Sequence, residues 1–351
     1  MTVRLLSAPG KLLLSVGVAA ALAAGLLPAT VAAAQAAPSL PCDIYAAAGT
    51  PCVAAHSTVR ALYAAYSGPL YQVKRVSDGK TLKIRTLRPG GYANAAAQNA
   101  FCARTRCIIT EIYDQSPEHN NLTIEGPGER GGRDTGANAA ALPVTVGGHH
   151  VYGLYITAGV GYRDNSTRGV ATGRSPQAEY MVTSGTHVNN KCCFDYGNAE
   201  TNGRDDGNGH MDAINFSTKC YFALCSGPGP WVHADFENGL FAGANGSDTN
   251  NKGNPSAFVT AMVKSNGRTT YAIKGGNAQT GRLTTWYRGA LPHRHGYVPL
   301  HEEGAIVLGT GGDNSKTSIG SFFEGVMTRG YPPPTADNAV QANIVSVHYE
   351  G

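Results

Sequence analysis

The sequence is short of several things, and each shortage excludes a class of protein. Beyond its first forty residues no uninterrupted apolar stretch approaches the roughly 18 residues of a membrane-spanning helix, so the mature chain is expected to be soluble and exported. Basic residues occur in no long run, and 28 Lys and Arg against 24 Asp and Glu leave a formal net charge of only +4. A nucleic-acid surface is therefore not expected, and a neutral substrate fits better. There is no Gly-x-Ser-x-Gly elbow and no phosphate-binding glycine loop, which removes support for an esterase or a nucleotide enzyme. No repeat and no Pro/Ser/Thr-rich linker divides the chain. Lysine and glutamate are scarce while glycine reaches 45 residues, a balance that favours turns over long helices.

What is present begins with an export signal. Arg4 and Lys11 precede an apolar stretch from Leu12 to Leu27, followed by small residues ending in Ala34-Gln35-Ala36. That stretch is too short to span a bilayer comfortably, and residues 1–36 read as a secretory signal peptide, with 37–351 as one mature domain outside the cell and no membrane attachment after cleavage. All eight cysteines fall after the signal, as expected of disulfides in an oxidising compartment. Local spacing favours pairing Cys42 with Cys52, Cys102 with Cys107 and Cys220 with Cys225. Cys192 and Cys193 are then left either as a vicinal disulfide, the simplest closure, or as two buried free thiols.

Residues 55–66 place Val59, Leu62, Tyr63 and Tyr66 at helical spacing behind a capping Ser57, and a second short helix is expected around Asn94 to Phe101. Strand character appears at Thr81 to Leu87, Val151 to Val160, Ala257 to Val263, Thr269 to Lys274, Arg282 to Tyr287 and Val340 to Val347, with Ser265-Asn266-Gly267 as a hairpin turn. The expected fold is all-β: a sandwich of two antiparallel sheets, concanavalin- or jelly-roll-like, with a few short helices.

Two acidic segments could carry chemistry: Asp235-Phe236-Glu237-Asn238-Gly239, and Gly311-Gly312-Asp313-Asn314 after the apolar residues 304–308. Asp235 and Glu237 would share one face of an extended strand, and the paired glycines before Asp313 allow backbone to approach a ligand. A retaining glycosidase needs two carboxyl groups about 5 to 5.5 Å apart. The loop from Asn202 to His210 has the composition of a calcium loop but not its ligand pattern, and the pairs His149-His150 and His293/His295 lack a third convergent ligand, so no metal or cofactor is expected. Sequons at Asn121, Asn165, Asn215 and Asn245 predict exposed loops if the host glycosylates them.

The chain resembles the catalytic domain of glycoside hydrolase family 54, the alpha-L-arabinofuranosidase B family. The likeness runs through LPCDIYAAAGTPCVAAHSTVRALY at residues 40–63, CCFDYGNAET at 192–201, GNGHMDAI at 207–214, GPWVHADFENGLF at 229–241, EGAIVLGTGGDNS at 303–315, FFEGVMTRGYP at 322–332 and VQANIV at 340–345. The resemblance implies a β-sandwich that removes terminal non-reducing arabinofuranosyl groups from arabinoxylan or arabinan with retention of configuration. It puts the nucleophile at Glu237 and the acid/base at Asp313. It also implies a vicinal disulfide at Cys192 and Cys193 packed against the sugar, with Asp235, Asn238, Gly239 and Gly312 as hydroxyl and ring contacts. The family pattern has a tryptophan ahead of the Gly-Pro-Trp segment. This chain has Tyr221-Phe222 there, between Cys220 and Cys225, so Phe222 is the expected aromatic contact with altered linkage preference. The sequence ends at Gly351 without the C-terminal arabinose-binding module of fungal members, so weaker adhesion to insoluble arabinoxylan is expected. The expected partner is arabinose-containing plant cell-wall polysaccharide, met by a monomer. Competing readings are a lectin-like sandwich that binds such glycans without cleaving them, and a furanosidase of other sugar specificity, such as a galactofuranosidase or one with secondary xylosidase activity.

Overall fold

Alternation of apolar and polar residues on short strands drives the chain into layered sheets rather than helices. The computed structural model describes residues 39–220, 225–243, 250–293 and 298–351. Among these residues the strands form three sheets with antiparallel pairing. A six-stranded sheet takes Cys52–Ser57, Glu324–Arg329, Gln177–Thr183, Val259–Ser265, Thr270–Asn277 and Thr284–Ala290 in that order. A ten-stranded sheet runs from Leu240–Phe241 through Trp231–Asp235, Asp212–Ser217, Asp195–Ala199, Ala305–Leu308, Tyr162–Asp164, Leu122–Ile124, Cys107–Ile112 and Pro69–Arg75 to Thr81–Arg85. The first two form the expected sandwich. A third, four-stranded sheet of Gly320–Phe322, His149–Ile156, Leu142–Val146 and Tyr349–Glu350 adds to the two-sheet expectation.

Register decides which face of the ten-stranded sheet is core and which is site. Leu308, Tyr196, Ile214 and Ala234 stand opposite one another across four neighbouring strands, and all belong to the main core. They pack toward the six-stranded sheet, with each large side chain contributing about 1.5 to 3 kcal/mol of burial. The next row, Val307, Gly197, Ala213 and Asp235, points the other way. Ala199, Met211, Ala213, Ala305 and Val307 form a small apolar cluster there, separate from the main core. A one-residue slip of Trp231–Asp235 would turn Asp235 into the core, so apolar burial on one face fixes the acid on the other.

Two local expectations fail. Residues 58–66 are not helical; Cys52–Ser57 is a strand and the following backbone finds distant partners instead. The N–H of Thr58 donates to Phe323 O, that of Ala61 to Gly91 O, and that of Leu62 to the Gln115 side chain. Ser57 does accept from the N–H groups of Val59 and Arg60, as a cap would, but no helix follows. Conversely, the strand expected at Val340 to Val347 belongs largely to the helix Pro334–Ser346. Pro334 suits its first turn, and Ala336, Val340 and Ile344, four residues apart, are buried together with Asp337 and Gln341. The helix at Ala95–Phe101 forms as expected, its Asn94 cap accepting from Ala97 N. The helix Pro41–Ala47 had no counterpart in the sequence reading. The Asn266 hairpin joins Val259–Ser265 to Thr270–Asn277, with the Asn266 carboxamide accepting from the N–H groups of residues 268–270.

Cysteine pairing follows the local expectation: Cys42–Cys52, Cys102–Cys107 and Cys220–Cys225 are disulfides, and Cys192–Cys193 is vicinal, across a cis peptide bond. Among the described residues no helix is long and apolar enough to cross a membrane.

Candidate active site

The strand Trp231–Asp235 ends where the site begins. Phe236 remains in the core, and its N–H donates to Gly239 O, closing a tight turn that lifts Glu237 out of the sheet. Glu237 has a φ of 69°, so it does not continue the strand, and the expectation that it shares an extended face with Asp235 is corrected. The turn brings the two acids together instead: Asp235 Oδ1 accepts the Glu237 N–H at 2.9 Å.

Glu237 is held by main chain. Its Oε1 accepts from the N–H groups of Asp206 at 2.9 Å and Gly207 at 3.0 Å, and its Oε2 accepts from His210 N–H at 2.7 Å. The 202–210 loop, read from sequence as a weak calcium loop, therefore cradles a carboxylate with backbone donors. Burial pushes the Glu237 carboxyl above the ordinary glutamate range, while those three donors pull it back toward ionisation.

Asp313 is held differently. It sits in the turn after Ala305–Leu308, where Ser315 donates from both N–H and Oγ to Oδ1, at 2.8 and 2.5 Å. Arg130 Nε reaches Oδ2 at 3.2 Å, although the Arg130 side chain is 64% exposed. The turn itself is tied to the 125–134 loop: Asn314 Nδ2 donates to Gly126 O and Gly132 O, and Arg130 N–H donates to Asp313 O. From below, the buried Arg163 guanidinium donates to Gly312 O at 2.7 Å and to Glu125 at 3.0 Å. Gly312 cannot be larger, because a Cβ there would overlap the Glu200 carboxyl.

These two walls enclose a cavity of about 300 Å³ lined by Cys192, Cys193, Glu200, Asp205, Met211, Asp235, Glu237, Asn238, Gly239, Leu240, Gly311, Gly312, Asp313 and Ser315. Every residue expected at the site from sequence lines it except Phe222, which lies outside the described residues together with Tyr221. The vicinal disulfide forms an apolar wall against a floor rich in carboxyls. Glu200, fully buried, is pushed up to about 9 by desolvation. Asp205 is raised by burial and by the charge of Asp313.

Arg130, Arg163, Ser315, Asp205, Glu200 and the donors of the 206–210 loop were not singled out as site residues by sequence. The 202–210 loop left a signal, its glycines and asparagines, but that composition was weighed only against calcium binding and not as a source of main-chain donors. The sequon residue Asn215 is also corrected: it is fully buried, and its Nδ2 donates to Asp195.

Carboxylate oxygens of Asp206 and Glu237 and a ring nitrogen of His210 lie within 4.8 Å of one another, a spacing open to a divalent cation. Both Glu237 oxygens are already taken by backbone donors. Cys220 and Cys225 also lie near His233, but their sulfurs are bonded to each other. His149 stacks on Tyr92 and His150 pairs with Thr145, so neither converges on a third ligand.

Comparison with known proteins places this geometry. Residues 41–350 match the family described as alpha-L-arabinofuranosidase B, catalytic. A probable alpha-L-arabinofuranosidase B of Aspergillus fumigatus is 55% identical over 308 residues, covering 86% of this chain and 60% of that protein. A solved family-54 alpha-L-arabinofuranosidase soaked with a cyclic sulfate inhibitor superposes with a TM-score of 0.86 at 49% identity, over 89% of this chain and 66% of that one. An arabinofuranosidase complexed with arabinofuranosyl-alpha-1,2-xylobiose gives 0.85 at the same identity and coverage. The chain thus spans about 60% of the length of the curated relative and 66% of the solved chains.

Proposed function

From the premise that this chain belongs to the alpha-L-arabinofuranosidase B catalytic family, we propose that it is an exo-acting, retaining alpha-L-arabinofuranosidase. One observation carries the reading: Glu237 and Asp313, 76 residues apart, share one small cavity with the vicinal disulfide and with Asp235, Asn238, Gly239 and Gly312. In this reading the Glu237 carboxylate attacks the anomeric carbon as the glycosidic C–O bond breaks. The bonding pair leaves on the glycosidic oxygen, which takes a proton from Asp313. Asp313 then accepts a proton from water as that water attacks the same carbon, releasing Glu237 and completing two inversions.

The residues fit these roles. Backbone donors hold Glu237 in the geometry of an ionised nucleophile, and the disulfide offers a flat, polarizable surface to the apolar face of a furanose. A pocket of this size accommodates one terminal sugar better than the middle of a chain. The relative solved with arabinofuranosyl-alpha-1,2-xylobiose supports arabinoxylan side chains as substrate class, and four disulfides fit an extracellular protein carrying a signal at 1–36 and its catalytic domain at 37–351.

The test compares wild type with Glu237→Gln on para-nitrophenyl alpha-L-arabinofuranoside, with the first-formed anomer followed by proton NMR. Loss on the order of 10⁴-fold or more is expected for the variant, since a missing nucleophile cannot be replaced by binding alone. Near-wild-type turnover by Glu237→Gln, or an inverted first product, would overturn the assignment. Saturable arabinoside binding by an enzyme that releases no sugar would favour the lectin-like alternative.

A further inference from the structure

Beneath the cavity, two buried carboxyls stand close together. Asp195, on the strand Asp195–Ala199, is fully buried, and Asp235 is almost so. One oxygen of each lies within 4.8 Å of the other and of the Cys193 sulfur. Asp195 Oδ1 accepts from Asn215 Nδ2 at 2.6 Å, but Asp195 Oδ2 is buried with no donor. Asp235 Oδ1 is occupied by the Glu237 N–H.

Two ionised carboxylates cannot stay in contact in a dry site, where the Coulomb cost rises steeply as the dielectric falls. The groups acting on the pair do not relieve this. Asp205, Glu237 and Asp313 face it across the cavity and Glu200 directly follows the Asp195 strand, all of them acidic. His233, two residues before Asp235 on the same strand, is held neutral, its imidazole pushed down to about 3 by burial. Of the arginines around the cavity, Arg130 is engaged by Asp313 and Arg163 by Glu125.

We infer that Asp195 and Asp235 hold one proton between them, carried on Asp195 Oδ2 and donated to Asp235, and that Asp195 is thereby a positioning residue for the sugar site. The inference rests on the furanosidase reading for its consequence in catalysis, though not for the proton itself. Desolvation and the Asp235 charge both raise Asp195 well above the ordinary aspartate range. The shared proton keeps Asp235 an acceptor: Oδ1 pins the left-handed turn at Glu237, and the side chain lines the cavity, where it can accept from a sugar hydroxyl. Asp195 does not line the cavity, which distinguishes it from the residues that do.

The decisive variant is Asp195→Asn. A carboxamide has the shape of a protonated carboxyl: its oxygen accepts from Asn215 and its amide N–H donates to Asp235. Asp195→Asn should therefore keep kcat/KM within about threefold at pH 5, whereas Asp195→Ala should raise KM tenfold or more with a smaller change in kcat. At alkaline pH, loss of the shared proton should cut wild-type activity, and Asp195→Asn should retain it.

Thermal unfolding against pH tests the proton independently of turnover. A carboxyl raised on folding gives stability that is complete below its unfolded value near pH 4 and is lost as pH rises toward its folded value. Between pH 5 and pH 9 the wild-type Tm should fall by about 3 °C or more beyond the fall in Asp195→Asn. A folded Asp195→Asn as damaged as Asp195→Ala, or equal Tm slopes for wild type and Asp195→Asn, overturns the inference. A wild type that cleaves no arabinofuranoside overturns the proposed function instead, and the Tm comparison still decides the pair.

Discussion

The two walls of the cavity hold their acids by different mixtures of donors. Glu237 rests on three main-chain N–H groups from the 206–210 loop, whereas Asp313 rests on the Ser315 hydroxyl and N–H and on an arginine that is mostly in solvent. Main-chain donors cannot rotate away, and they favour one charge state throughout a reaction cycle. Side-chain partners can leave. Under the proposed roles this matches the chemistry, since a nucleophile needs a fixed geometry while an acid/base must change its proton twice per turnover.

The largest effect that bears on this contrast should come from Asp313→Asn. On arabinosides with a poor leaving group, loss of general acid and base should lower kcat by about 10² to 10⁴-fold. On para-nitrophenyl alpha-L-arabinofuranoside the departing phenolate needs little protonation, so bond cleavage should be spared and hydrolysis of the glycosyl-enzyme should become limiting. A pre-steady-state burst of nitrophenolate checks this. Equal slowing on both classes of substrate, with no burst, would deny Asp313 the proton-transfer role.

A smaller effect is expected from Ser315→Ala. This change removes one hydroxyl donor at 2.5 Å and leaves the Ser315 N–H in place. A hydrogen bond to a charged group contributes about 1.5 to 3 kcal/mol, so kcat/KM should fall roughly 10- to 100-fold. The shape of its pH profile should change as well, which a purely structural loss would not produce. Measuring kcat/KM from pH 3 to pH 8 separates the two.

These contrasts bear on how far the sequence could be read. The acidic motifs at 235–239 and 311–314, the four disulfide pairs and the strands around Asn266 were legible because each is written in residues close together in the chain. Arg130 and Arg163 were not. They lie 183 and 149 residues before Asp313 and Gly312, and no local pattern ties an arginine to a turn that distant. The expected helix at 55–66 failed for a related reason. Its spacing was helical, but the Phe323, Gly91 and Gln115 acceptors that claim its N–H groups come from elsewhere in the chain. The segment 340–347 erred the other way, because β-branched residues look strand-like until the burial of Ala336, Val340 and Ile344 shows a helical stripe.

Glu200 sharpens the comparison through stability. It lies under Gly312 on the Asp313 side, with both carboxyl oxygens buried and unpartnered and Arg163 4.0 Å away. Burial pushes it up to about 9, so the folded state holds a proton that the unfolded chain releases near pH 4. Stability from this group is therefore full in acid and drains away as pH rises toward 9. Glu200→Gln should flatten that part of the Tm-against-pH curve between pH 5 and pH 9. An unchanged slope would mean that Arg163 keeps Glu200 ionised in the folded protein.

The smallest effect should come from His210→Ala, and its smallness is the point. The imidazole Nδ1 lies 3.1 Å from Glu303 and 3.4 Å from Asp206 and is partly exposed, a setting in which ion pairs contribute little. What reaches Glu237 is the His210 N–H, and alanine keeps it. The conformation of the loop is set by Gly207 and Gly209, at φ of 74° and 77°, and by the His301 N–H donating to Gly209 O, none of which depends on the imidazole. Turnover of para-nitrophenyl alpha-L-arabinofuranoside should therefore drop by less than about threefold. A hundredfold loss in a normally folded His210→Ala would mean that the loop is held by its side-chain pairs after all, and the distinction between a main-chain wall and a side-chain wall would fail on the Glu237 side.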